Sequence, residues 1–399
     1  LASSTAMLTL HQSPTDPAFV QDPYAFYAVA RAQGDLHHWA DYAMPAAFSQ
    51  AAVAALLRDR RFGREIPAER ATAPPPHTAP FYAIEAHSML EAEPPRHTRL
   101  RALVLRAFTS RRINALAEDI AQLCHQLIDA FPPGEFDLLP AFCTPIPVRL
   151  IARLLGVPEG DAPALLGWSH AMVAMYVPHR SPATEHAAAR AATDFSAYLR
   201  EVIAHRRSRP ADDLITELIA AEQAGDRLST DELISTCILL LNAGHEATVH
   251  ALGNAVKCLL ETATPTEALA QNAIAGTVEE LLRFDAPLHM FTRYAYEEAT
   301  VFGHTFQRGD QVALLLGAAN RDPAAWPDPD RFAPGRTPRT NASFGGGLHF
   351  CVGAPLARLE MQLALPILFA RCPGLRLAEA PRYANTYHFH GLERLMVRR

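Results

Sequence analysis

The sequence holds no apolar run near the roughly 20 residues that cross a bilayer. Its longest candidates are Ile238 to Leu241 and Leu363 to Ala370, and Pro366 interrupts the second. No membrane-spanning class is expected. Cysteine is scarce: there are six, at positions 124, 143, 237, 258, 351 and 372, and none has CxxC spacing. That argues against a disulfide framework or a zinc ribbon and suits a reducing cytoplasm. LASSTAMLTL at the start has neither a charged leader nor a long apolar stretch, so it does not read as a signal peptide. Leu1 to Ala6 are expected to be a remnant ahead of Met7. Positive charge is not in excess: 36 Lys and Arg stand against 42 Asp and Glu, a formal net charge of -6. No global attraction to nucleic acid follows. Internal repeats and low-complexity linkers are also missing.

What is present suits a globular enzyme. The chain is 49% hydrophobic and 20% charged, enough for a large core. Apolar residues recur at helical spacing through most of it, with Ala-rich segments at 51–58, 113–131 and 187–207. Two Pro-rich stretches, Ala73 to Pro80 and Pro178 to Pro182, read as surface loops. Ser229 and Glu232 form a capping box, and a helical pattern then runs without proline to about Glu261, roughly 50 Å of helix. Strand signals lie mainly after residue 287: His289 to Tyr296, Thr300 to Phe302, Thr305 to Phe306 and Gln311 to Gly317, with a smaller hairpin at 383–397. The expected class is mainly α with a small β-sheet region, in a single domain spanning 1–399.

The densest signal is Phe344-Gly345-Gly346-Gly347-Leu348-His349-Phe350-Cys351-Val352-Gly353-Ala354-Pro355. Three glycines let the backbone turn against a flat ligand. Cys351 stands just before a helix with Pro355 in its first turn, where backbone N–H groups favour a thiolate. Elsewhere, Ala243-Gly244-His245-Glu246-Ala247-Thr248 places an acid in an otherwise apolar helix, which is costly unless the acid is used or paired. Glu280 and Arg283 share a helical face. Arg96, Arg99, Arg101, Arg106, Arg111 and Arg112 fall in one segment with no acid between 96 and 112.

The Cys351 segment closely resembles the haem-thiolate signature of the cytochromes P450, and further motifs of that family follow in order along nearly the whole chain. The resemblance implies the P450 fold, a triangular helical body with a long central helix over the haem. It implies haem b, its iron held by Cys351, with Phe344, Gly345 and Gly353 shaping the loop. His97, Arg101, Arg293 and His349 match the partners of the haem propionates; Glu93 stands where Asp is more usual. Glu280, Arg283 and Arg331 match the structural triad. Gly244 would leave room for oxygen above the iron, and Glu246 would serve proton delivery. The family's hydroxyl position is Ala247 here, and the threonine comes one later. Thr248 is therefore rotated by about 100° and is expected to bond the carbonyl of Gly244 or to act as the relay itself. Pocket candidates are Leu240, Ala243, Ala247, Leu288, His289 and Phe291, with the 78–90 loop, the 168–182 region and the 388–392 turn. His388 and His390 are candidates for orienting a polar group.

The implied activity is that of a bacterial-type monooxygenase. It would place one oxygen atom from O2 into a small, largely apolar organic substrate. A ferredoxin or flavodoxin with its reductase would supply electrons by docking on the basic segment, to which Arg358 would add. Nucleic acid and membrane are not expected partners. Two other readings stay open: a peroxide-using or non-redox haem-thiolate enzyme, and a non-catalytic haem or ligand-binding protein.

Overall fold

The computed structural model describes residues 7–177, 180–223 and 228–399. The remnant expected at Leu1 to Ala6 lies outside them, as does part of the loop expected at Pro178 to Pro182. The fold is mostly helical with small sheets. Cα positions group into two compact units: one is built from 1–70, 121–143 and 247–399, the other from 71–120 and 144–246.

The first unit is organised by a six-stranded mixed sheet. Its strand order is Thr9–Leu10, Leu36–Trp39, Met44–Ala47, Gln311–Leu315, Met290–Ala295, Phe62–Gly63. Gln311–Leu315 is central, antiparallel to Met290–Ala295 and parallel to Met44–Ala47. Successive side chains of a strand point to opposite faces, and here both faces are buried. Val312 and Leu314 enter one core with Leu56, Leu57, Phe62 and Phe306. Ala313 and Leu315 enter the other with Tyr27, Trp39 and Phe48. That explains why the strand reads as an unbroken apolar run. The Gln50–Arg58 helix, capped by Ser49 onto the N–H of Ala52 at 3.2 Å, gives Ala52, Val53, Leu56 and Leu57 to the first core.

The expected strands after residue 287 are present with shifted ends: Met290–Ala295, Ala299–Val301, His304–Phe306 and Gln311–Leu315. Leu316 and Gly317 turn into a short helix, Leu316–Asn320, and do not extend the strand. Within the 383–397 region, Arg382–Tyr383 pairs with Leu392–Arg394, while Met396–Arg398 pairs with Arg376–Leu377 and Glu135–Asp137. The N-terminal strands that form half of the main sheet were not expected.

The second unit is helical, with Arg96–Ala107, Pro145–Leu155, Ala162–Val173 and Pro182–Ser208 among its main elements. Instead of a plain loop at 73–80, the chain forms a 3-10 turn at Pro76–Thr78 and enters the Ala79–Glu85 helix. Helix Thr230–Glu261 is as long as the sequence indicates. Its capping box is made in full: Ser229 Oγ accepts from Glu232 N at 3.1 Å, and Glu232 Oε1 accepts from Ser229 N at 3.0 Å. The boundary between the units falls inside this helix, between Glu246 and Ala247.

Candidate haem-thiolate site

The Cys351 loop is held from both ends. Asn320 Oδ1 accepts from Ala342 N at 2.7 Å, and Asn320 Nδ2 donates to Ser343 Oγ at 2.9 Å. Ser343 Oγ donates on to Leu282 O at 2.8 Å. Gly345 N then bonds Ala342 O, and Cys351 N closes the loop onto Phe344 O at 3.0 Å. Gly345 and Gly347 have φ of 70° and 66°, a region side chains rarely adopt. A Cβ on Gly347 would also lie 2.3 Å from Leu57 O, so the loop needs glycine there twice over. Beyond the loop, Gly353 caps the 18-residue helix Ala354–Arg371, with Pro355 in its first turn. Unpaired N–H groups at a helix start favour negative charge nearby.

This donor set fits an iron–sulfur bond to a flat macrocycle. Cys351 is exposed while the other five cysteines are buried. A Cβ on Gly353 would come within 3.9 Å of Cys351 Sγ, so the sulfur's near side is kept bare. Arg293 is buried beside the loop residue Phe291, with its guanidinium carbon 6.0 Å from that ring, and donates to Thr292 O at 2.9 Å. A buried guanidinium suits a carboxylate partner. His349 is half-buried.

Helix Ile274–Phe284 presents Glu280 and Arg283, both buried. Arg283 Nε and Nη2 meet both Glu280 oxygens at 2.7 and 2.8 Å, and its guanidinium also donates to the carbonyls of Asn320, Pro329 and Arg331. The third member differs from expectation. The Arg331 guanidinium is exposed and pairs with Asp328, so Arg331 gives the network only its carbonyl. Arg336 is the second cation on Glu280, at 3.1 Å, and caps Pro327 and Asp328 carbonyls as well. The turn at Asp328, φ 49°, swings residue 331 outward and returns 336 inward.

In the middle of helix Thr230–Glu261, Ala243 is exposed and Ala247 half-buried between buried neighbours. Gly244 is a packing residue: a Cβ there would lie 2.7 Å from Ile151 Cγ1. Its missing side chain is filled by the Pro145–Leu155 helix, which corrects the expectation that it opens room for oxygen. Glu246 lies 3.5 Å from His245 Nε2 and 3.8 Å from His170 Nε2. Thr248 is buried, and its hydroxyl makes no hydrogen bond among the described residues, so it is not spent on a helix carbonyl as expected.

Comparison with known proteins settles the family. Residues 273–373 match the family model described as Cytochrome P450. A "Biotin biosynthesis cytochrome P450" of Bacillus subtilis is 35% identical over 98% of this chain and 99% of its own. The chain is a cytochrome P450. The "Cytochrome P450 monooxygenase PikC" of Streptomyces venezuelae is 36% identical over 95% of this chain and 92% of its own. Among solved structures, a P450BioI in complex with acyl carrier protein ligated to hexadec-9Z-enoic acid superposes with a TM-score of 0.89, at 35% identity over 96% of this chain and 99% of the other. This P450 is therefore an oxidoreductase with a cysteine-ligated haem. It places one oxygen atom from O2 into an organic substrate and draws electrons from a redox partner. No helix among the described residues is long and apolar enough to cross a membrane.

Several residues singled out in the sequence of this P450 sit elsewhere than expected. His289 is wholly buried and hydrogen-bonds Tyr27 through Nδ1 at 2.9 Å. Its ring also packs where a Cβ on Gly317 would be, so it supports the sheet and does not line a pocket. Burial, with His390 nearby, holds its pKa well below the usual histidine range. His390 lies 3.1 Å from Asp285, whose carboxylate also accepts from Tyr24 at 2.7 Å and from Tyr383. Burial would raise Asp285, but His390, Lys257 and the Tyr383 bond hold it below the usual carboxylate range. His388 borders Tyr42 at 3.3 Å, and burial pushes it down to about 4. Leu240 is buried; Leu288 and Phe291 are half-buried against the first core. In the second unit, His97 is buried and Arg101 half-buried on helix Arg96–Ala107.

The basic segment is smaller than its sequence suggests. Arg99 binds Glu232 through both nitrogens, at 3.1 and 2.6 Å. Arg112 binds Asp212 and Glu217, and Arg358 binds Glu279 while lying 4.7 Å over Phe344. Arg106 and Arg111 remain exposed. Asn320 and Arg336 are the structural residues that sequence reading passed over. A polar side chain between the short helix and Arg321-Asp322, and a second arginine after Arg331, were the available signals.

Proposed function

We propose that this P450 oxygenates a small, largely apolar molecule, that Cys351 is its iron ligand, and that an acidic ferredoxin or flavodoxin delivers the electrons. The observation that carries the reading is the contrast among the cysteines: Cys351 alone is exposed, on a glycine loop at a helix start. Burial pushes the Cys124 and Cys237 thiols up to about 12, which opposes thiolate formation there. Bound to that thiolate, the haem supplies oxygen activation, favoured by electron donation from sulfur. His97, Arg101, Arg293 and His349 would hold its propionates, and the chain as a whole, 1–399, would act as one catalytic domain.

The protein's own part is positioning and proton handling. Glu246 carries a proton on the helix, and Thr248, with its hydroxyl uncommitted, passes it on in place of the residue missing at Ala247. Leu240, Ala243, Ala247, Leu288 and Phe291 offer the apolar contacts. The names of relatives, such as a vitamin D(3) 25-hydroxylase and a 6-deoxyerythronolide B hydroxylase, favour a substrate with much apolar surface.

Product formation with an acidic surrogate ferredoxin and its reductase tests the electron route. Reduction should slow as salt rises, because the Debye length falls from ~10 Å at 0.1 M to ~3 Å at 1 M. Arg106→Glu and Arg111→Glu should weaken donor affinity and leave substrate binding alone. Reduction that ignores both salt and these charges would sink this docking surface, and turnover with peroxide alone would favour the partner-free reading.

The proton route has a separate test. Thr248→Ala should divert electrons from product to released hydrogen peroxide by several-fold, since a hydroxyl hydrogen bond is worth roughly 1 kcal/mol. Ala247→Thr should improve coupling for poorly fitting substrates. If Thr248→Ala leaves the ratio of product to peroxide unchanged, Thr248 is not the relay, and ordered water or a substrate hydroxyl takes its place.

A further inference from the structure

Beside the haem-thiolate loop's own chemistry, the second unit holds a cluster of a different kind. His170 on helix Ala162–Val173 and His245 and Glu246 on helix Thr230–Glu261 place three ligand atoms within 4.8 Å of one another. Their types are two imidazole nitrogens and one carboxylate oxygen. His245 decides what the cluster can do. Its Nδ1 lies 2.8 Å from Leu241 O. A carbonyl only accepts, so Nδ1 carries the proton, and in the neutral ring Nε2 keeps a bare lone pair. That nitrogen is buried, the residue being 2% exposed, and it makes no hydrogen bond. It points toward Glu246 Oε2, 3.5 Å away. His170, more than half exposed, sits 3.8 Å from the same oxygen and leaves an approach from solvent.

We propose that His170, His245 and Glu246 form a binding site for a borderline divalent transition ion, zinc first among them. Zinc binds histidine nitrogen at about 2.0–2.1 Å and carboxylate oxygen at about 2.0–2.2 Å, so tetrahedral ligand atoms stand roughly 3.3 Å apart. The two separations to Glu246 are within a few tenths of an ångström of that. The Nδ1 bond to Leu241 fixes the His245 ring and its tautomer, as second-shell partners do for metal-bound histidine. Two nitrogens with one oxygen favour zinc over magnesium or calcium, which prefer all-oxygen shells. Three protein ligands leave one position for water.

Occupation has a consequence that rests on the proton-delivery reading of Glu246. A carboxylate bound to zinc is no longer a proton carrier, so the ion is an inhibitor of turnover. The two ideas separate in experiment. Zinc chloride titrated calorimetrically into the haem-loaded enzyme should show one equivalent bound more tightly than the rest. His170→Ala should weaken that equivalent by about tenfold or more, the scale on which metal-site interactions act. His245→Ala should do the same, and because His170 is largely exposed, His170→Ala keeps the test intact if the buried substitution fails to fold. Unchanged zinc binding in His170→Ala overturns the site. Tight zinc binding lost in the variant, with wild-type product formation untouched by zinc, upholds the site and overturns the role given to Glu246.

Discussion

Cys351→His is expected to abolish both product formation and the red-shifted Soret band of the reduced carbonyl complex, while haem content falls. Nothing smaller fits the proposed role, because the other cysteines are buried and cannot take over the position. Histidine keeps a donor in the loop, so loss of the thiolate spectrum would reflect the ligand's chemistry and not an empty site. Absorption spectra of the carbonyl complex, with haem quantified independently, are the measurement. A variant that retains the wild-type band would place the ligand elsewhere and remove the basis of the catalytic reading.

The other large effect concerns Glu280. Its carboxylate is almost wholly buried and carries two arginines, Arg283 and Arg336. Removing one partner of a buried pair costs ~3–5 kcal/mol, because a desolvated charge is left behind. Arg283→Leu also strips donors from the carbonyls of Asn320, Pro329 and Arg331, and Asn320 is the residue that holds the start of the Cys351 loop. Little haem-loaded protein should be recovered. Arg336→Ala should be severe as well, while Arg331→Ala, at an exposed pair with Asp328, should cost within ~1 kcal/mol. Denaturant midpoints of the three variants give the order. If Arg331→Ala proves as damaging as Arg336→Ala, the assignment of the third cation is wrong.

That pair of arginines shows where sequence stops being informative. Both stand in one irregular segment, and residue type cannot say which returns to the core; the turn at Asp328 decides it. Gly244 makes the same point, since a missing side chain is visible in the sequence but the neighbour that fills its space, Ile151, is not. Helix Thr230–Glu261 was legible because its signals are local: a capping box, then apolar periodicity without proline. Leu36–Trp39 and Met44–Ala47 were not. They are four residues each, one with two histidines and the other with a proline, and the second pairs with a strand beginning at Gln311. The cysteine loop was legible because its glycines answer to backbone geometry within a dozen residues. The commitments of Arg99, Arg112 and Arg358 were not, because each partner lies far along the chain.

The three-stranded sheet carries an implication for synthesis. Glu135–Asp137 pairs only with Met396–Arg398, and Asp137 Oδ1 accepts from Leu395 N at 2.9 Å. The main sheet likewise lacks its centre until Gln311–Leu315 has emerged. At ~5–20 residues per second, the roughly 250 residues after Cys143 occupy the ribosome for on the order of ten to fifty seconds. Throughout that interval the early strands present open edges to other nascent chains. The first unit thus completes after release, and cellular yield depends on how well those edges are shielded while they wait.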